Sequence, residues 1–197
     1  MIVIGLTGGV GMGKSTSASI LARRGLSVID TDELARELVR PGKPALVEIS
    51  KVFGPGMIDR AGELRRGEVA KIVFNDPAKR KQLERILHPR IRERWLVQLD
   101  QLRSEGHGAV VVVIPLLFET DAAKHFSHIL CVACSAATQR VRLAARGWSE
   151  QAIDQRIASQ SPIERKISAS NFVVWTEGSL DIHEQQVDRV LKTLGLL

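Results

Sequence analysis

Two hydrophobic periods divide this chain: short β-branched runs, and longer stretches whose apolar residues recur at helical spacing. Ile2-Val3-Ile4 with Leu6 reads as a buried strand leading into a glycine-rich turn, after which residues 16–22 carry the spacing of a helix. Arg23-Arg24-Gly25 closes that helix with positive charge and a glycine, both favoured at a helix C-terminus. A second short strand, Ser27-Val28-Ile29, delivers Asp30-Thr31-Asp32 at its carboxyl end, the edge where open α/β sheets hold ligand-handling groups. Residues 109–114 form a third strand, apolar on both faces as central parallel strands are. Residues 128–133 and 172–175 read as strands four and five. A last amphipathic helix presents Ile182, Val187, Val190, Leu191 and Leu194.

Between strands two and three the pattern is helical throughout. Leu34, Leu38 and Val39 make one apolar face, Leu46, Ile49, Val52 and Phe53 another, and a long series runs through Leu83, Ile86, Leu87, Ile91, Trp95 and Leu99. Pro41-Gly42, Gly54-Pro55-Gly56 and Asp76-Pro77 separate these helices. The expected organisation is an α/β core from residues 1–32 and 107–197, interrupted by a helical insertion at 33–106.

Composition changes this picture little. A chain of 197 residues suffices for one generous α/β domain, which buries roughly 70% of its unfolded surface. Hydrophobic content of 44% and charged content of 25% are ordinary for a globular protein and imply no disordered tail. The net charge of +6 comes from scattered Lys and Arg, and aromatics are only 4%, so a protein that handles phosphates is expected rather than a nucleic-acid binder. No apolar run approaches 18 residues and no charged leader precedes strand one, which predicts a cytoplasmic protein with no membrane partner. Cys131 and Cys134 lie in or beside the fourth strand and read as core thiols, since strand residues three apart face opposite sides.

The chemistry starts at residues 8–15, GGVGMGKS, between the first strand and the first helix. Glycines there let backbone N–H groups turn inward around phosphate, and the helix N-terminus adds its dipole. Gly8, Gly9, Val10, Gly11, Met12, Gly13, Lys14, Ser15 and Thr16 are the expected ATP contacts, with Lys14 on the β- and γ-phosphates and the Ser15 hydroxyl on Mg²⁺. Asp32 suits a base for an attacking hydroxyl or a Mg²⁺ neighbour; Asp30 serves either function or a capping box with Glu33. No aspartate ends the third strand, so Glu119 is either a replacement metal carboxylate or a helix-start glutamate. Arg140 and Arg146, six apart, read as a lid segment that neutralises transferred phosphate or as a solvated basic helix. Arg65, Arg66, Lys71, Arg90, Arg92 and Arg94 together suit a phosphate-bearing acceptor on the insertion.

GLTGGVGMGKST, VIDTDELARELV with its D-x-D, LHPRI, VIPLLFE, the spaced Arg140 and Arg146, and Gln160 followed by Lys166 resemble the dephospho-coenzyme A kinase family in the right order over nearly the whole chain. The resemblance implies a P-loop three-layer α/β/α core with a five-stranded parallel sheet, a helical acceptor lobe, and a lid at about 136–160. It implies transfer of the ATP γ-phosphate to the ribose 3′-hydroxyl of dephospho-coenzyme A, by a monomer, with Mg²⁺. Asp32 becomes the base, Lys14 and Arg140 catalytic groups, and Arg140 and Arg146 ATP-binding lid residues. Asp32, Leu64, Arg66, Phe74, His88, Pro89, Pro115, Leu116, Leu117 and Glu119 border the acceptor; for His88 the alternative is a helix-breaking core residue beside Pro89. The chain departs from the family pattern at Arg65, at Ser170-Asn171, and at Thr176-Glu177-Gly178, where an adenine contact is expected. The competing readings are a nucleoside-monophosphate or other small-metabolite kinase, and a nucleotide-dependent switch or nucleic-acid-associated module.

Overall fold

The computed structural model describes all residues 1–197 and divides into two compact units, Met1–Asp30 with Gln101–Leu197, and Thr31–Asp100. In the first, five strands form one parallel sheet: β1 (Ile2–Gly8), β2 (Ser27–Asp30), β3 (Ala109–Val113), β4 (His128–Ala133) and β5 (Phe172–Trp175), in the order β2-β3-β1-β4-β5. Central β1 lies between β3 and β4, so the chain changes its direction of travel across the sheet beside β1, the point where such sheets open a crevice for ligands. Parallel neighbours on both sides explain why β1 and β3 are almost wholly apolar.

Helix α1 (Lys14–Arg23) follows β1, and a C-terminal helix (Leu180–Thr193) closes the chain. Ile20 and Leu21 of α1 and Val187, Val190 and Leu191 of the last helix share one core with Ile4, Leu6, Val111, Val113, Leu130, Val132 and Val174 of the sheet. Arg24 bonds Asp188 at 2.8 and 2.9 Å and Glu184 at 3.1 Å, joining the rims of the two helices. No helix in the structure is long and apolar enough to cross a membrane.

The second unit is helical: α2 (Thr31–Leu38), α3 (Pro44–Phe53), a 3₁₀ turn (Pro55–Met57), α4 (Arg66–Asn75) and all but the last turn of α5 (Pro77–Ser104). Val39, Ala45, Ile49, Val69 and Ile86 are its buried centre, with Phe53, Leu64 and Leu83 packed around them. The Pro and Gly breakers read from the sequence fall between these helices. Pro89 does not break α5, which runs unbroken through it for 28 residues, so His88 lies within a helix. An internal proline costs about 3 kcal/mol; burial of Ile86 on one side of it and of Trp95 and Leu99 on the other holds both halves in register.

Candidate functional site

Residues 8–15 turn tightly at the carboxyl end of β1. Gly8 has φ of 147°, and a Cβ there would meet the Val132 carbonyl oxygen at 2.2 Å; Gly13 has φ of 95° and lies against Thr176. Both positions therefore need glycine. Lys14 folds back over the loop, its Nζ donating to the carbonyls of Gly8 at 3.0 Å and Gly9 at 2.9 Å, which holds the ammonium inside the ring of backbone where a phosphate would be gripped. Ser15 and Thr16 are exposed at the start of α1.

The crest of the loop is clamped from both sides. Val10 N–H donates to Gln160 Oε1 at 3.0 Å, and Gln139 Nε2, buried, donates to the Val10 carbonyl at 2.7 Å. Gln139 belongs to α6 (Ala136–Ala144), whose N-cap Ser135 accepts from Thr138 N–H; Gln160 follows α7 (Glu150–Ala158). Glu177 fastens the start of α6 to the end of β5, accepting from Ser135 N–H at 3.0 Å, Thr138 Oγ1 at 2.8 Å and Trp175 Nε1 at 3.0 Å. Those donors hold its carboxyl down at about 2.

Beside the loop opens a cleft of about 380 Å³ lined by Gly11, Gly13, Thr16, Arg142, Arg146, Thr176, Gly178 and His183 among others. Arg142 reaches Thr176 twice, Nη1 to Oγ1 at 2.8 Å and Nη2 to the carbonyl at 2.5 Å, and Thr176 Oγ1 donates to the Met12 carbonyl at 3.1 Å. His183 bonds buried Ser17 at 2.8 Å; burial, aided by Arg142 and opposed by Glu184, keeps its imidazole below its ordinary value and hence neutral. Arg146, in the turn that follows α6, lines the same cleft. Arg140 is not in the cleft: it pairs with Glu150 at 2.9 Å and with Asp154, linking α6 to α7 on the surface.

The turn after β3 carries the remaining first-unit candidates. Pro115, Leu116, Leu117 and Glu119 form a succession of turns, and no helix starts at Glu119. Leu117 is fully buried against Gly5 and Phe126. Glu119 Oε1 accepts from Ser161 N–H at 2.8 Å and lies 2.9 Å from Lys166 Nζ. Burial alone would raise its pKa, but these two donors outweigh it and keep the carboxylate ionised. Cys131 and Cys134 are both buried and free. Desolvation pushes the Cys131 thiol up to about 11, against the opposing charges of Lys166 and Lys14.

In the helical unit, Asp32 is exposed in the first turn of α2. Leu64 pairs with Ile58 and packs on the unit's core, the Arg66 guanidinium donates to the Arg36 carbonyl at 3.3 Å, and Phe74 is half-buried in α4. His88 and Pro89 edge an open hollow of about 400 Å³ with Arg92, Glu93 and Leu96; burial, with Arg92, lowers the His88 pKa against the pull of Glu84.

No group of three or more His, Cys, Asp or Glu side chains could hold a metal on its own. The donor set fits a hard cation that arrives with a nucleotide and takes oxygen ligands from phosphate, water and the Ser15 hydroxyl. The sequence reading assigns no role to Gln139, Arg142 or the Ser17–His183 pair.

The dephospho-CoA kinase family model matches residues 2–181. The chain is 40% identical to a dephospho-CoA kinase of Bdellovibrio bacteriovorus across 97% of this chain and 95% of that one, and 39% identical to one of Bacillus cereus across 100% and 98%. Among solved structures it resembles a Thermus thermophilus protein (34% identity, TM-score 0.82, 98% and 97% covered) and the dephospho-CoA kinase of Campylobacter jejuni (25%, 0.72, 98% and 96%). A shikimate kinase of Bacteroides thetaiotaomicron, at 15% identity and TM-score 0.52, shares the fold.

Proposed function

The chain belongs to the dephospho-coenzyme A kinase family, and from that premise we propose how its residues carry out the family's reaction. It is a kinase with ATP as phosphoryl donor, and its reaction is the last step of coenzyme A biosynthesis. The observation that carries this is the match over residues 2–181. In our reading the γ-phosphoryl group passes to the ribose 3′-hydroxyl of dephospho-coenzyme A.

The loop at 8–16 cradles the ATP phosphates with backbone N–H groups. On binding, Lys14 exchanges the Gly8 and Gly9 carbonyls for β- and γ-oxygens, a stronger, charge-assisted pairing. Ser15, with phosphate oxygens and water, would hold Mg²⁺, which would supply charge neutralisation at the transferring group. Asp32 accepts the proton of the acceptor hydroxyl. The nucleoside lies along the cleft of Arg142, Arg146, Thr176 and Gly178, with Arg140 on the lid. Leu64, Arg66, Phe74, His88, Pro89, Pro115, Leu116 and Glu119 are the acceptor-facing groups, and Leu117, fully buried, supports their turn from beneath. A cytoplasmic monomer completes the reading, and sedimentation of the pure enzyme checks its size.

The test is ADP release from ATP and Mg²⁺ with and without dephospho-coenzyme A, with mass spectrometry of the acceptor. An acceptor-dependent gain of one phosphate is expected. Lys14→Ala and Asp32→Asn should each lower kcat on the order of 10³-fold with unchanged circular dichroism. Near-wild-type turnover of Asp32→Asn removes the base assignment, and phosphorylation of nucleoside monophosphates instead would support the small-metabolite kinase.

A further inference from the structure

Lys166 lies in a short helix, α8 (Ile163–Ser168), and its side chain is 0% exposed. Burying an ammonium is costly unless it is paired and hydrogen-bonded, and an apolar side chain of similar volume often serves stability as well or better. Stability alone is thus a poor reason for a lysine here, and what it holds is more informative. Its Nζ donates to the Pro115 carbonyl at 2.7 Å and to Glu119 Oε1 at 2.9 Å, gripping both ends of the turn after β3.

That turn is bound on two further sides. The Pro115 carbonyl lies 3.4 Å from Thr7 Oγ1, on the strand that ends in the phosphate loop. Glu119 Oε1 accepts from Ser161 N–H, and the preceding residue, Gln160, accepts from Val10 N–H at the loop's crest. Residues 160 and 161 therefore touch the phosphate loop and the turn from adjacent positions. Neither contact can shift far without the other, because a single peptide unit separates them.

We propose that Lys166 is a positioning residue that couples the two substrate sites: by locking the turn at 115–119 to Ser161, it makes the placement of that turn depend on the Gln160–Val10 contact at the phosphate loop. The inference rests on the reading that residues 8–16 hold ATP and residues 115–119 border the acceptor. Linkage then requires that each substrate tighten the other by the same factor.

Calorimetric titration of the full chain with a non-hydrolysable ATP analogue and Mg²⁺, with and without saturating dephospho-coenzyme A, measures that factor. The wild-type protein should bind the analogue about five-fold or more tightly when the acceptor is present. In Lys166→Met the factor should fall to about one, while affinity for the analogue alone changes less than about three-fold. Glu119→Gln, at a side chain 21% exposed, should also lower the factor and serves if Lys166→Met does not fold. A purely structural lysine would lower the melting temperature and leave the factor intact; a wild-type factor retained in both variants overturns the proposal. A wild-type protein that binds both substrates with no mutual effect overturns the coupling alone. One that fails to bind dephospho-coenzyme A overturns the functional reading and the coupling with it.

Discussion

Replacing Thr176 by valine removes one hydroxyl and keeps the shape of the side chain. That hydroxyl, in a residue only 5% exposed, accepts from Arg142 Nη1 and donates to the carbonyl of buried Met12. Arg142 is half-exposed and keeps its bond to the Thr176 carbonyl, so its loss is about 1.5 kcal/mol, the low end for a charged donor. The Met12 carbonyl, in a residue only 3% exposed, loses about 1–2 kcal/mol. The new methyl group returns roughly 0.5–1 kcal/mol through burial. The net destabilisation is about 2 kcal/mol, a fall of roughly 4–8 °C in melting temperature for a chain of this length. Met12 and Gly13 form the second half of the phosphate loop, so loosening them should weaken ATP by about 1 kcal/mol, roughly five-fold in its KM. Thermal melts and steady-state kinetics with each substrate varied are the assays. A melting shift under about 1 °C, or an acceptor KM that rises in step with that for ATP, refutes the reasoning.

Arg140→Ala and Arg142→Ala separate two assignments. If Arg140 leaves Glu150 and Asp154 to neutralise the transferred phosphoryl group, its removal should lower kcat on the order of 10³-fold; near-wild-type turnover transfers the role to Arg142 or Arg146. Glu177, held at about 2 against an ordinary 4.5, stabilises the folded chain fully above pH 4.5 and loses that contribution as pH falls towards 2. Glu177→Gln should therefore melt lower than wild type at pH 7, with a difference that closes below pH 4.5; a difference constant with pH contradicts the network. With its thiol raised to about 11 and buried, Cys131 should resist alkylation at pH 8 until the chain is unfolded. Labelling of the native protein, read by peptide mass, would refute that.

Local rules made much of this molecule legible in advance. The β-branched runs and helical periods locate strands and helices because side-chain direction follows from a repeat of two or 3.6 residues. The breaks at Pro41-Gly42, Gly54-Pro55-Gly56 and Asp76-Pro77 follow from the backbone angles those residues allow. The loop at 8–15 was recognisable for the same reason, since Gly8 and Gly13 occupy angles that other residues avoid. Local rules were weaker where tertiary contacts overrode them: Pro89 stays helical because both halves of α5 are held by packing, and Glu119 begins no helix, its carboxylate being held instead by Lys166 and Ser161.

The sequence by itself determined the order of strands and helices, the phosphate loop and, through its ordered motifs, the family. Tertiary structure alone decided which polar groups serve that loop. Thr176 meets Met12 across 164 residues, His183 meets Ser17 across 166, and Gln160 meets Val10 across 150. Such pairs leave no periodic trace, because each partner sits at a position whose local conformation many residues could occupy. On α6, Arg140 and Arg142 differ by about 200° around the helix axis, and only packing against β5 and α7 sets one in the cleft and the other on the surface. Lys166 is the extreme case: in the chain it is one basic residue among 28, and in the fold it is a buried charge held by a turn roughly fifty residues earlier.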